Sequence, residues 1–378
     1  MSFICIACVK DLSLKKFIST YGVDNILCDV CHEKRRGIDT NNNHFHQLFK
    51  ALIRFHYHEY EYNTHWGGNS LESFFYSENP ILECRNDKDE DGLCAVLEDL
   101  IHNVYEDYDK GVTLYAGYFE GMPTGILRSI KSEIHPILEK ITELLKTENY
   151  FNLESEMHSL LIKYKGVIDI QVPVNTEFVR ARIGFKDKKS PSNFFIEPQY
   201  HYVPYSGSEI SAPLPSLAKA GRINRAGVSF FYAATDLDTA ISETRPHPGD
   251  IMSIGWFKTK QTLLLADFTE TYIEYFSDTD QLLDDFLTIH SINVYLNKVV
   301  PPIERGHYSV TQLIADTLRQ HGYDGIKYIS TVGKGHNIVV FHPEHLVYKN
   351  GDGQVFEIQG LKYTISEKIV VSNQNDYL

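Results

Sequence analysis

The chain has no apolar run approaching the roughly 18 residues that a bilayer-spanning helix needs, so no membrane association is expected. Its opening stretch, MSFICIACVKDL, has neither a basic n-region nor a true apolar h-region. No secretory leader is therefore expected, and a cytoplasmic location is the default. Internal repeats and low-complexity tracts are missing, which excludes solenoid and tract-driven architectures. Net positive charge is missing too: the formal charge is −14. Affinity for nucleic acid comes largely from neutralising phosphates, so this balance argues against a broad nucleic-acid interface. In the absence of a leader, disulfides are disfavoured for the six cysteines.

What is present supports a sizeable core. The 378 residues are 43% hydrophobic, enough for two or three domains. Four of the cysteines stand as CIAC (Cys5, Cys8) and CDVC (Cys28, Cys31), with nineteen residues between the pairs. Two residues between thiolates let a tight turn present both sulfurs to one ion, and two such turns complete a tetrahedron. The spacing predicts a structural zinc ion held by Cys5, Cys8, Cys28 and Cys31, against a reading as free or redox-active thiols. His32, next to Cys31, is an optional substitute ligand, and Cys84 and Cys94 read as ordinary thiols. The acidic balance is uneven: Glu177 to Arg225 carries eight Lys/Arg against four Asp/Glu. Such an island suits a small anionic ligand, or is a solvated face with chance clustering.

Along the chain, residues 1–40 form the zinc module and TNNNH (Thr40 to His44) reads as a linker. Residues 45–165 are helical in pattern. One helix is expected in LCAVLEDLIHNVYEDY, with Leu93, Val96, Leu97, Leu100, Ile101 and Val104 at helical spacing. Another is expected in GILRSIKSEIHPILEKITELLK, where Pro136 should kink or break it. From 167 to 355 the pattern changes to strands, VIDIQV, EFVRARIG, VSFFYAA, IMSIGWF, TLLLADF, DGIKYIS and NIVVFH, with the helix SVTQLIADTLRQHG among them. The fold class expected is α+β, an all-α region followed by strands in a bent, mixed sheet. YKNGDGQVFEI reads as a hairpin turn, and 356–378 as a terminal strand or tail.

Two stretches carry chemistry. In EFVRARIG, Val179, Ala181 and Ile183 share one face while Phe178, Arg180 and Arg182 share the other. Both guanidiniums then point away from the apolar face, unless this is a charged edge strand. In KAGRINRAGVSFFYAATDLDTAISETRP, Arg222, Asn224 and Arg225 lie between glycines and a strand ends near Tyr232. Thr235 and Asp238 form a T-x-x-D capping signature for a helix that Pro246 ends. Glu243 sits in its last turn, where the helix dipole does not favour an anion, so its carboxylate needs a partner or a purpose. A neighbour such as Arg245 would serve as that partner. Further on, Ser330 closes a strand before a Gly-Lys-Gly loop, and Asn337 opens the next. A serine before glycines is also an ordinary turn residue.

Four stretches, FVRARIG, AGRINRAGVSFFYAATDLDTAISETRP, YSVTQLIADTLRQHGYDGIKYIS and HNIVVF, follow one another over roughly residues 175 to 345 and together resemble the RES domain. The resemblance implies a fold similar to ADP-ribosyltransferase toxins, NAD as substrate, and a toxin neutralised by an antitoxin or controlled by a regulatory protein, with self-association as a further expectation. The N-terminal part looks like the longer members that carry a helical region of the HEPN type. By position, the resemblance implies Arg180 and Arg222 as functional arginines, with Tyr232, Glu243 and Ser330; Arg182 and Asn224 join them as substrate-binding residues. Val179 and Ile223 stand where the family often has aromatics, so a stacking platform is either absent or supplied by Phe178.

The chemistry agrees with these residue types. Planar guanidiniums suit a pyrophosphate. Nicotinamide leaves as a neutral base from a cationic state, so no general acid is needed and one carboxylate can suffice where ordinary glycosidases employ two. The expected reaction is cleavage of the nicotinamide N-glycosidic bond, with water or phosphate as acceptor. Alternatives are ADP-ribosyl transfer to a macromolecule and a nuclease or binding function of the helical region. For the nuclease, Arg128 and His135 have suitable spacing, although His135 also reads as a packing histidine.

Overall fold

The computed structural model describes residues 2–58, 81–83, 128–190, 200–270, 272–298, 308–362 and 364–367, with isolated positions 61, 93, 96, 100, 118–119 and 122–123 between. In chain order, the first elements are β1 (Phe3–Cys5), α1 (Leu12–Tyr21), β2 (Val23–Leu27), β3 (Lys34–Asp39) and α2 (Asn43–His56). A two-residue ladder, β4 (Tyr118–Phe119) with β5 (Met122–Pro123), precedes α3 (Pro136–Leu144), α4 (Glu154–Leu161) and β6 (Asp169–Val172). Then come β7 (Glu177–Ile183), β8 (Asp187–Lys189), β9 (His201–Val203), β10 (Phe231–Ala234) and α5 (Leu237–Glu243). The last are β11 (Ile251–Thr259), β12 (Leu263–Phe268), α6 (Asp280–Asn297), α7 (Ser309–Gln320), β13 (Gly325–Ile329), β14 (His336–Val340), β15 (Leu346–Tyr348) and β16 (Gln354–Glu357). The class is α+β, with antiparallel and parallel pairing both present.

The chain divides into two compact units. The first comprises Met1–Ile170, Ala220–Arg225 and Leu264–Tyr328. Its N-terminal end is a three-stranded sheet in the order β1-β3-β2. Asp11 caps α1 by accepting from the backbone of Ser13 and Leu14, and the helix buries Leu14 and Ile18. The polar run TNNNH is not a linker: Thr40 is buried and bonded to Ser2, and Asn42 caps α2 by accepting from Phe45 N at 3.0 Å. Side chains that read as loop formers are also the preferred helix caps. From that cap α2 lays Phe45, Leu48, Phe49, Leu52 and Ile53 along one buried stripe.

Pro136 does not kink a helix but starts one. It occupies the first turn of α3 behind the cap His135, where its missing N–H would have been unpaired in any case. The helix expected over residues 93–108 lies mostly outside the described residues; Leu93, Val96 and Leu100 within it are helical and fully buried. Cys84 and Cys94 also lie outside them. The longest helix among the described residues, α6, falls where the strand pattern suggests none. Its Leu283, Phe286, Ile289, Ile292 and Leu296 are buried, and Phe286 packs against Phe55 and Phe276. β12 and β13 run parallel, bringing the buried Asp267 opposite the half-buried Lys327 in an ion pair of 2.8 Å.

The second unit comprises Gln171–Lys219, Ala226–Leu263 and Ile329–Leu378. Its strands follow the order β15-β11-β7-β10-β14, all antiparallel, with β16 also on β11. β7 therefore lies inside the sheet, not at an edge. YKNGDG is not a hairpin turn: β15 pairs with Phe257–Thr259 and β16 with Ile251–Ile254, so the two strands follow one another along β11. One face of the sheet is covered by α5, whose Leu237, Ala240 and Ile241 pack on Val179, Ala181, Ala234, Ile254 and Trp256.

Candidate active site

Glu243 ends α5, the last-turn position expected. The start of the helix differs: Asp236, not Thr235, is the cap and accepts from Thr239 N at 2.8 Å. Thr235 instead pairs with the backbone of His336, its N donating to the carbonyl and its Oγ1 accepting from His336 N. α5 is thereby tied to the start of β14.

The partner that Glu243 needed is now evident. Its Oε1 accepts from Ser330 Oγ at 2.7 Å and from Asn337 Nδ2 at 2.6 Å. No ion pair with Arg245 is present. Among the described residues Oε2 has no hydrogen-bond partner, and Glu243 is exposed while Ser330 and Asn337 are buried. Two neutral donors thus fix one oxygen and leave the other facing solvent. Charge-assisted bonds of this kind are about twice as strong as neutral ones.

The donors are themselves held. Ser330 Oγ accepts from Val332 N at 3.2 Å and Gly333 N at 2.8 Å, which directs its single proton to Glu243. Asn337 stands opposite Ala234 in the β10–β14 ladder. The loop between them lies against α5 so closely that a Cβ on Gly333 would come within 2.6 Å of Thr239 Oγ1, and one on Gly335 within 1.7 Å of Asp236 Oδ2. Both positions need glycine for this approach.

Tyr232 and Ala234 share the sheet face that carries α5 and Asn337, because Tyr232 pairs with Val339 and Ala234 with Asn337. Tyr232 is half-buried there. Arg180 and Arg182 do share a face, as the alternation predicts, but it is the face opposite Glu243. Arg180 donates to the Tyr232 carbonyl and lies 5.3 Å from the Phe231 ring centroid. Desolvation, followed by the charge of Arg182, pulls it down to about 10, so it stays cationic at neutral pH. Arg182 stacks on Tyr205 and donates to the Glu209 carbonyl. Phe178 is only 3% exposed and cannot serve as an open stacking platform.

Arg222 and Asn224 belong to the first unit. Arg222 donates to the Leu296 carbonyl, and its own carbonyl accepts from Thr311 Oγ1. Asn224 is buried and donates to the Arg225 carbonyl. Arg225 pairs with Asp316 at 2.8 Å and covers the Tyr150 ring. The Arg-Asn-Arg cluster is thus fastened to α6 and α7. Of the residues that sequence reasoning grouped, the structure joins Glu243 directly to Ser330. It adds Asn337, whose signal was its place at the start of the strand after the serine loop.

His135, considered for a nuclease, has a packing task. Its ring accepts from Ile137 N, and its backbone N donates to Ser291 Oγ at 2.8 Å. The exposed Arg128 offers only its carbonyl, to Arg54.

Cys5, Cys8, Cys28 and Cys31 converge, with all four sulfurs within 4.8 Å of one another. Their separations of 3.7 Å (Cys5–Cys8 and Cys5–Cys31) and 3.9 Å (Cys8–Cys28) match the edge of about 3.8 Å of a tetrahedron with Zn–S bonds near 2.3 Å. Three of the cysteines are buried, and Cys5 N donates to Cys28 Sγ at 3.3 Å. The four residues fit a zinc ion without His32.

Comparisons with known proteins agree with part of this picture. No curated protein matches the chain. A solved structure, the M. tuberculosis MbcT–MbcA toxin–antitoxin complex, aligns over 53% of this chain and 92% of the other at 10% identity, with a TM-score of 0.29, too low to carry an argument. The RES domain family model matches residues 196–357, which include Arg222, Asn224, Tyr232, Glu243, Ser330 and Asn337 but neither Arg180 nor Arg182. Residues 196–357 of this chain thus match the RES domain.

Proposed function

We propose that this protein degrades NAD by breaking the bond between nicotinamide and ribose. The observation that carries the reading is Glu243, inside the RES domain, with Oε1 fixed by Ser330 and Asn337 and Oε2 open to solvent. Glycosidic cleavage passes through an oxocarbenium-like state. As the C1′–N bond breaks, its electron pair goes to the nicotinamide nitrogen, which leaves neutral, and positive charge develops on the ribose. A carboxylate already oriented by two donors needs no reorganisation to meet that charge, or to hold a ribose hydroxyl. Water then adds to C1′ and releases a proton, giving ADP-ribose; phosphate in its place gives ADP-ribose 1″-phosphate.

Ser330 and Asn337 keep the carboxylate in place. Tyr232, on the same sheet face as Asn337, is the aromatic group available to the nucleoside. Arg180 and Arg222 enter through the resemblance alone, as functional arginines, and Arg182 and Asn224 as further substrate-binding expectations; the fold engages Arg222 with the Leu296 carbonyl and sets Arg180 on the sheet face opposite Glu243. The ADP-ribosyltransferase-like fold, the role as a toxin and control by an antitoxin or other protein belong to the same proposal. Zinc, held by Cys5, Cys8, Cys28 and Cys31, supplies folding energy and takes no part in the reaction. The test is to incubate purified protein with NAD and follow nicotinamide release with and without phosphate. Release without labelling of protein or nucleic acid supports cleavage. Transfer of labelled ADP-ribose to a macromolecule would replace it with the transferase reading.

A further inference from the structure

The loop that seats Ser330 carries a cation that the cluster itself does not employ. Between Ser330 and Asn337 the sequence reads Thr-Val-Gly-Lys-Gly-His. The backbone of this loop is fastened at several points. Val332 and Gly333 donate to Ser330 Oγ, Gly335 N donates to Thr239 Oγ1 at 2.8 Å, and His336 N donates to Thr235 Oγ1 at 3.0 Å. On either side of Lys334 the glycines press on α5 with no room for a Cβ. Lys334 itself is exposed and, among the described residues, has no carboxylate partner. The nearby anion Asp236 is committed to capping α5 and to Thr235 Oγ1. A closely seated loop thus carries an exposed lysine between two glycines that lie against α5.

We propose, on the reading of Glu243 given above, that Lys334 binds a phosphate group at this site, either the diphosphate of NAD or an inorganic phosphate acceptor. A lysine binds phosphate as a point charge on a flexible stem. Its location suits the task. Gly333 and Gly335 lie against Thr239 and Asp236, and Thr239 lies four residues, about 6 Å of helical rise, before Glu243. In NAD a ribose likewise separates the bond that Glu243 serves from the nearest phosphate. The cations that the sequence puts forward for phosphate are otherwise engaged: Arg222 bonds the Leu296 carbonyl, and Arg180 lies on the opposite sheet face.

The test compares full-length wild type with Lys334→Gln, measuring ADP-ribose affinity by calorimetry, KM and kcat for NAD, and half-saturation by phosphate. Losing one charged contact should raise the Kd for ADP-ribose and the KM for NAD about tenfold, with kcat little changed. A rise confined to phosphate half-saturation identifies the acceptor as the source of the phosphate group. Unchanged values in all three measurements, with an unchanged melting temperature showing an intact fold, overturn the inference. Wild type that releases no nicotinamide fails the parent reading instead, so the two failures are distinguishable.

Discussion

The four cysteines and the Glu243 cluster are both small polar constellations, and the chain assembles them by different means. The cysteines span Cys5 to Cys31 and come as two local pairs. Glu243 meets Ser330 across 87 residues and Asn337 across 94. In the first case two short turns bring the four sulfurs together. In the second, a helix must end at one place and a loop must lie tightly on it. The first kind of site should fail by unfolding, the second by losing rate while the fold persists.

Cys28→Ser tests the unfolding side and should show the largest effect. Zinc content, about one ion per chain in wild type, should fall to background. Because metal binding is folding energy, a loss of about 3–5 kcal/mol, roughly 10 °C in melting temperature, is expected in the first unit. Phe17 of α1 packs 6.1 Å from Phe45 of α2, so the damage should reach α2. A chelator should reproduce it. Full zinc content in Cys28→Ser would show that the four sulfurs are not the ligand set.

Glu243→Gln tests the other side. It keeps shape and removes charge, so nicotinamide release should fall by roughly 10²–10³, the scale for one preorganised electrostatic group. NAD affinity should change far less, since the contact belongs mainly to the transition state. An unchanged rate per folded molecule together with a lower melting temperature would make Glu243 a structural residue and erase the contrast between the two clusters.

Ser330→Ala and Asn337→Ala each remove one of the two donors to Oε1. A turnover loss of about tenfold is expected for each, smaller than for Glu243→Gln, because one charge-assisted bond remains. If either equals Glu243→Gln, that residue contacts substrate directly.

The smallest effect concerns pH. Burial pushes His135, His290 and His321 below the usual imidazole range, and all three lie in the first unit. A histidine held neutral in the fold binds its proton more readily when unfolded. Stability from these groups is therefore present above the unfolded value near 6.5 and lost as pH falls below it. Hydrogen exchange in α3, α6 and α7 should quicken between pH 7 and 5 while α5 in the second unit changes less. Equal acceleration in both units would contradict the assignment.

Strands β6, β7 and β10 to β14, α7, the faces of β7 and the position of Glu243 at the end of α5 were legible in the sequence, because side-chain period and helix boundaries are local properties. The start of α5 was less so. Thr235 and Asp236 are adjacent capping residues, and which one caps is decided by the bond that Thr235 makes to His336, about a hundred residues away. Pro136 was ambiguous for a similar reason: proline interrupts a helix or begins one depending on the backbone before it, and here His135 lies outside helical dihedrals as the cap.

By itself the sequence singled out the four cysteines as two local pairs whose spacing suits one ion, and it singled out Glu243 as a carboxylate in need of company. Only the tertiary structure decided the company. Serine and asparagine became partners of Glu243 because β10 and β14 pair in the register that sets Ala234 against Asn337, and because two glycines let the serine loop close on α5. It also decided that Arg180 and Glu243 face opposite sides of one sheet and that Arg222 is fastened to α6 and α7. Spacing along a chain fixes which residues can share a face, but strand pairing fixes which faces meet.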